Sequence, residues 1–368
     1  MSRSPLSVAD LRDAAERTAE RAAYDYCSGG AGDEIALEGN QAAFRRRRLL
    51  PRVLRAVEAP RTALTLLGAG LATPVGVAPT SLQRLAHPDG EVASSRAAAA
   101  IGALFCLSTF ASCSMEAVAV ASDGPRWFQL YVLRDRGLTR DLLQRAAASG
   151  YRAIVVTCDQ PVTAPRRRDV RSGFDRFRAG QPNLALELAS AWRAARGGTE
   201  EEALRQGLAR LDALFPNAAT SWADLEWVCS DSSLPVVLKG VLRPDDAVEA
   251  LRRGAAGLVV SNHGGRQLDR AIASVDALGP VVQAVAGEAP VLLDSGVRSG
   301  LDVAIALALG ARAVLVGRPV LWGMMACPSD PVAGAGRALD LLHGELEQAM
   351  RLLGAGGLED LDASLVAT

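Results

Sequence analysis

Eight short apolar runs, each bounded by glycine, proline or polar residues and most separated by helical patterns, constrain this chain more than any other feature. They are TPVGVAP from Thr73, LFCLST from Leu104, RWFQLYV from Arg126, AIVVTCD from Ala153, LPVVLKG from Leu234, GLVVSNH from Gly257, APVLLDSG from Ala289 and AVLVGRP from Ala313. Seven are almost uninterrupted apolar stretches, the signature of strands buried on both faces of a parallel sheet. Between them lie LTRDLLQRAAASG, RPDDAVEALRRG, ASVDALGPVVQAVAG and SGLDVAIALALG, apolar at helical spacing and mostly stopped by glycine.

Strand and helix alternating eight times predicts an α/β fold closed into a (βα)8 (TIM) barrel, one domain over residues 1–368. An open, doubly wound sheet is the competing architecture, but no GxGxxG follows the first run. Two stretches fall outside the repeat. Residues 1–72 are expected to form a helical extension that caps the barrel or flanks its mouth. Residues 160–233, between the fourth and fifth runs, exceed an ordinary crossover and are expected to form a lid or a partner surface, helical over 200–215.

With 368 residues and 49% hydrophobic content the chain buries a large core, which excludes a disordered or fibrous protein. Lys+Arg 40 against Asp+Glu 41 leaves no global field for nucleic acid or an anionic membrane, so an anionic ligand must be held locally. The N-terminus lacks a signal-peptide core and no run suits a membrane span, so a cytoplasmic location with no membrane partner is expected. The six cysteines show no CxxC pairing and read as buried thiols, with no metal site. Lys239 is the only lysine among the forty basic residues. In a chain that otherwise uses arginine, it marks a place for a compact ammonium.

Barrel chemistry sits where the strands end at their C-terminal side, and the runs end in a converging polar set. The first ends in Pro79 and Thr80, the second in Ser108, the third in Gln129 and Tyr131, the fourth in Thr157 and Asp159, the fifth in Lys239. Ser261 and His263, with Arg266 beyond them, end the sixth; Asp294 ends the seventh, Gly317 and Arg318 the eighth. DSGVRSG and VGRP carry the glycines, the helix start after Ser299 and the charges of Arg298 and Arg318 that suit a phosphate. Lys239 alone fits a Schiff-base lysine, a cofactor contact or a buried ion pair. In SNHGGRQLD, two glycines open space beside His263 and Arg266 lies three residues on, a pairing suited to a base acting on a carboxylic acid. Asp159 either orients that imidazole or caps a helix. His87 reads as a helix cap and His343 as part of the C-terminal helix, neither of them catalytic. The arginine run 45–48 reads as a solvated face, whereas Arg166, Arg167 and Arg168 open the insertion, where one can reach an anionic substrate.

SNHGGRQLD, together with YDYCSGGAGDE from Tyr24, APTSLQRLAHPDGE from Ala78, WFQLY from Trp127, VTCDQP from Val156, VVLKG, LLDSGVRSG and VGRP, resembles the FMN-dependent 2-hydroxy acid oxidase and dehydrogenase family over nearly the whole chain. That resemblance implies FMN as cofactor and oxidation of an (S)-2-hydroxy acid to the 2-keto acid, with oxygen or another acceptor taking the electrons. It implies His263 as base, Asp159 as its support, Arg266, Arg166 and Tyr26 on the substrate carboxylate, and Tyr131 on the substrate hydroxyl. Lys239 then stabilises the reduced flavin. Pro79, Thr80 and Ser81 with Ser108, Gln129, Thr157 and Ser261 contact the ring, and Asp294, Ser295, Gly296, Val297, Arg298, Gly317 and Arg318 the ribityl phosphate. Ser81, Ser295, Phe110 and Cys27 depart from the family's usual residues, and Phe110 points to an aryl or longer-chain substrate. A homotetramer is implied by the resemblance alone. An FMN-dependent isomerase, a phosphate-binding lyase or a catalytically silent FMN-binding subunit would use the same barrel.

Overall fold

The computed structural model describes residues 5–174 and 183–367. Eight parallel strands close into a barrel: β1 (Val75–Val77), β2 (Phe105–Ser108), β3 (Arg126–Leu130), β4 (Ile154–Thr157), β5 (Val236–Val241), β6 (Gly257–Val260), β7 (Val291–Leu293) and β8 (Ala313–Val316). Each pairs with its sequence neighbour, and β8 closes on β1 through Val314 opposite Val75 and Val316 opposite Val77. Seven lie inside the apolar runs of the sequence, and β5 extends one residue past its run, to Val241.

The alternation of side chains explains why those runs carry no polar face. In β2, β3 and β4 the residues Cys106, Trp127 and Val155 fill the barrel interior, while Phe105, Phe128 and Ile154 pack outward beneath the helices. Both faces are therefore core.

Helices occupy only the first part of residues 1–72: Val8–Thr18, Arg21–Ser28 and Ile35–Arg46. The expectation of helix throughout is corrected beyond them, where Leu64–Leu66 and Ala69–Leu71 form an antiparallel hairpin. Leu67 (φ 45°) and Gly68 (φ 79°) make its two-residue turn, a backbone that matches hairpin twist and stops a helix. Leu64, Leu66 and Leu71 then join the interior cluster of the barrel. Arg48–Leu49, just after the third helix, pairs with Val366–Ala367.

The stretch 160–233 contributes Arg167–Arg171, the helical pair Asn183–Arg196 and Glu200–Leu214, and Trp222–Asp231, which leads into β5. Its residues 175–182 lie outside the described residues. Among the described residues no helix is long and apolar enough to cross a membrane.

Candidate active site

A cavity of about 610 Å³ opens at the C-terminal ends of the strands. Of the residues the sequence singles out, Tyr26, Pro79, Thr80, Ser81, Ser108, Phe110, Tyr131, Arg166, Lys239, His263, Arg266, Asp294 to Arg298, Gly317 and Arg318 line it. Behind that lining, Gln129 accepts from Ser108, Ser261 from Lys239, and Asp159 pairs with His263, while Thr157 Oγ1 has no partner among the described residues.

His263 stands just past β6 with φ 60°, a left-handed backbone rare for a side-chain-bearing residue. Its Nδ1 lies 2.7 Å from Asp159 Oδ1. The carboxylate therefore accepts the hydrogen bond of the Nδ1–H and leaves Nε2 as the nitrogen free to take a proton. Burial raises the Asp159 carboxyl, but the charges of His263 and Lys239 outweigh it and hold the group below the usual carboxylate range. Gly240 (φ 109°) makes the pairing possible, because a Cβ there would sit 2.6 Å from that of Asp159. Helix capping is not the role of Asp159.

Lys239, buried at the end of β5, donates to Ser261 Oγ at 2.9 Å and pairs with Asp294 Oδ2 at 3.1 Å. Burial depresses its ammonium, but the charges of Asp294 and Asp159 outweigh burial and hold it above the ordinary lysine value. It is thus a permanent cation in the cavity floor, and a Schiff-base role, which needs a neutral amine, is not what this environment supports.

Arg166, Arg266 and Arg318 pack against the N-terminal arm at Tyr26–Gly29. Arg166 and Arg266 stack over the Tyr26 ring, 5.2 and 5.0 Å from its centroid, and Phe174 stacks on the same ring at 4.3 Å. Arg266 Nη1 donates to the carbonyls of Tyr26 and Gly29; Arg318 donates to those of Ser28, Gly29 and Gly264. Outside the cavity Arg167 pairs with Asp33 and Arg168 with Glu34, so only Arg166 of that run faces inward. Burial, then the charge of Arg166, lowers the Arg266 guanidinium; burial, then Arg266 and Arg298, holds Arg318 well below its usual value. Burial takes Arg298 down to about 10. Cations destabilised by burial and by one another form a site that an anion relieves.

The chemistry of the free donors fits a flavin mononucleotide. Gln129 Nε2, Thr157 Oγ1 and Arg298 Nε are buried with no partner among the described residues. Gln129 lies near the end of β3 and Thr157 ends β4 opposite Lys239 of β5, and the two unpaired donors suit the carbonyl edge of an isoalloxazine ring. Arg298 stands between Gly296–Val297 and the capping box of helix Gly300–Ala308, a helix N-terminus that suits a phosphate. Among the described residues no group of three or more His, Cys, Asp or Glu is arranged to hold a metal ion.

Ser295 carries φ 74°, and its hydroxyl accepts from Gly264 N at 2.8 Å while donating to Asp294 Oδ1 at 2.7 Å. Ser295→Ala should keep the backbone strain and orphan Gly264 N–H, costing about 1–2 kcal/mol; Ser295→Gly should recover roughly 1 kcal/mol of that by relaxing φ. Denaturant midpoints should therefore rank serine above glycine above alanine, and alanine ranking above glycine would contradict the strain.

Several wall residues were not anticipated from sequence. Phe215, at the end of helix Glu200–Leu214, packs against Tyr131 at 4.4 Å and Phe110 at 4.9 Å, and Phe110 stacks on Tyr131 at 5.1 Å. Phe174, Gln160 and Asp169 also line the cavity. With aromatics only 4% of the chain, each phenylalanine of the insertion was a candidate wall residue, the one signal available.

A barrel whose rim joins a carboxylate-oriented histidine, an arginine pair and a flavin-shaped donor set is that of a flavin-dependent oxidoreductase acting on a carboxylic acid. The chain belongs to the FMN-dependent dehydrogenase family, whose profile matches residues 15–368. It is 45% identical over 367 residues to an L-lactate oxidase of Nostoc sp., covering 99% of this chain and 98% of that protein. It is 40% identical to human 2-hydroxyacid oxidase 2 over 99% of this chain and 98% of the other. A solved mandelate oxidase superposes with a TM-score of 0.85 at 40% identity, covering 97% of this chain and 96% of that one. The same enzyme with (S)-4-hydroxymandelic acid gives 0.85 at 41%, over 96% and 97%.

Proposed function

We propose that this enzyme oxidises (S)-2-hydroxy acids bearing an aryl or comparably large side chain to 2-keto acids, with oxygen as electron acceptor. The observation that carries the reading is the His263–Asp159 pair opening onto the same cavity as Arg166 and Arg266. An isomerase or lyase has no need of a base and two guanidinium groups meeting at one carboxylate.

FMN, when bound, supplies the two-electron acceptor. The protein does the rest. Arg166, Arg266 and Tyr26 hold the substrate carboxylate, Tyr131 holds its hydroxyl, and His263 Nε2 removes a proton. The imidazolium so formed is balanced by the half-buried Asp159 carboxylate, and water is displaced by the Phe110, Tyr131 and Phe215 wall. That wall supports the aryl preference, as does the likeness to mandelate oxidase. The free state of the cysteines supports a reducing, cytoplasmic setting. Exposed Leu50, Val53 and Leu54 support self-association, for which we propose a homotetramer.

Anaerobic mixing of the yellow holoenzyme with a panel of 2-hydroxy acids tests the reading. The (S)-aryl acids should bleach the flavin, with kcat/KM roughly tenfold or more above that for lactate, the scale of burying a ring in an apolar wall. A flavin left yellow by the whole panel would overturn the reaction; bleaching by lactate at equal or higher efficiency would overturn the aryl preference.

A further inference from the structure

Two consecutive residues leave the end of β4 and serve different partners. Asp159 reaches the His263 ring; Gln160 lines the cavity, and its Oε1 accepts a hydrogen bond from Tyr131 Oη at 2.8 Å. Pro161 follows, which restricts the Gln160 backbone to extended conformations and fixes the direction in which the amide leaves the chain.

We infer that Gln160 is a positioning residue for the reaction: by accepting the hydrogen bond of the Tyr131 O–H it presents the phenol oxygen to the cavity as a hydrogen-bond acceptor for the α-hydroxyl of the substrate. The inference rests on the proposed hydroxy acid chemistry and extends it to a residue and a direction of bonding. A phenol has one proton to give. Committed to Gln160, it leaves Tyr131 only lone pairs to offer, and an acceptor there recognises a substrate that still carries its hydroxyl hydrogen. Burial first, then the Asp159 carboxylate, raises the Tyr131 phenol above its usual value, so the proton stays on oxygen and its direction is set by Gln160. Phe110 stacks on one side of the Tyr131 ring and Phe215 packs beside it, so the ring itself has little freedom and the orientation of the O–H is the variable that remains.

A double-mutant cycle tests this in the FMN-loaded enzyme, with Gln160→Met, which keeps length and removes the acceptor, and Tyr131→Phe. Gln160→Met alone should lower kcat/KM for the best hydroxy acid by about two- to tenfold, the scale of one hydrogen bond. In the Tyr131→Phe background the same change should have no further effect. Perturbation of the flavin spectrum gives a readout apart from turnover. The variant should bind the matching acid that lacks the α-hydroxyl as tightly as wild type does, and FMN content should be unchanged. Equal losses in both backgrounds, weaker binding of the deoxy acid, or an unaffected single variant would each overturn the role of Gln160. The wild-type arm reports separately on hydroxy acid oxidation: turnover there with an additive cycle removes Gln160 alone, whereas no turnover by wild type removes the function itself.

Discussion

His263→Ala should fold, hold FMN and stay yellow when mixed anaerobically with a hydroxy acid that bleaches the wild-type enzyme. A positioned general base contributes about 10²–10⁴ to the rate, and no second histidine can substitute for it. His343 is engaged with Thr73 and His87 with the turn before helix Gly90–Ala100. Rapid-mixing absorbance gives the rate of bleaching, expected to fall by about a thousandfold or more because no imidazole then reaches the substrate proton. Substrate affinity should fall far less, since Arg166, Arg266 and Tyr26 are untouched. A variant bleached at a rate within tenfold of wild type would remove His263 as the base.

How much of this was legible in the sequence depends on where each residue sits. Barrel strands announce themselves because both faces are buried, so Val155 and Ile154 are equally apolar, and the residue that ends each run is polar because it faces the mouth. Lys239, His263 and Asp159 could be read in that way, down to their convergence. The wall supplied by the insertion could not. Phe215 follows a helix whose periodicity describes its packing on Asn183–Arg196 and says nothing of Tyr131, which is far away along the chain. Nor does any local pattern show that carbonyls of the arm at Tyr26, Ser28 and Gly29 seat Arg266 and Arg318. The motif YDYCSGGAGDE shows in the sequence as glycine-rich and acidic; its work is to hold two arginines from inside and, through Asp33 and Glu34, the arginine run of the insertion from outside. The hairpin at 64–71 was hidden because Leu67–Gly68 sits in an alanine- and leucine-rich stretch that suits a helix until the turn is recognised.

Lys239→Met should be the most damaging substitution for the fold and the reaction together, and the two losses can be separated. The ammonium is buried between Ser261 and Asp294. Removing it strands the Asp294 carboxylate, only 5% exposed, at a cost of about 3–5 kcal/mol, a large part of the stability of a typical domain. Methionine fills most of the volume, so packing contributes little to that figure. Adding Asp294→Asn removes the stranded charge, and the double variant should regain most of the lost stability in denaturant titrations. Turnover should not return with it. Lys239 carries the fixed positive charge at the floor of the cavity, and oxidation of a hydroxy acid delivers two electrons to that site. A double variant that is both stable and active would reduce Lys239 to a structural partner of Asp294; one that is stable, inactive and still able to bind FMN would place the ammonium in the chemistry.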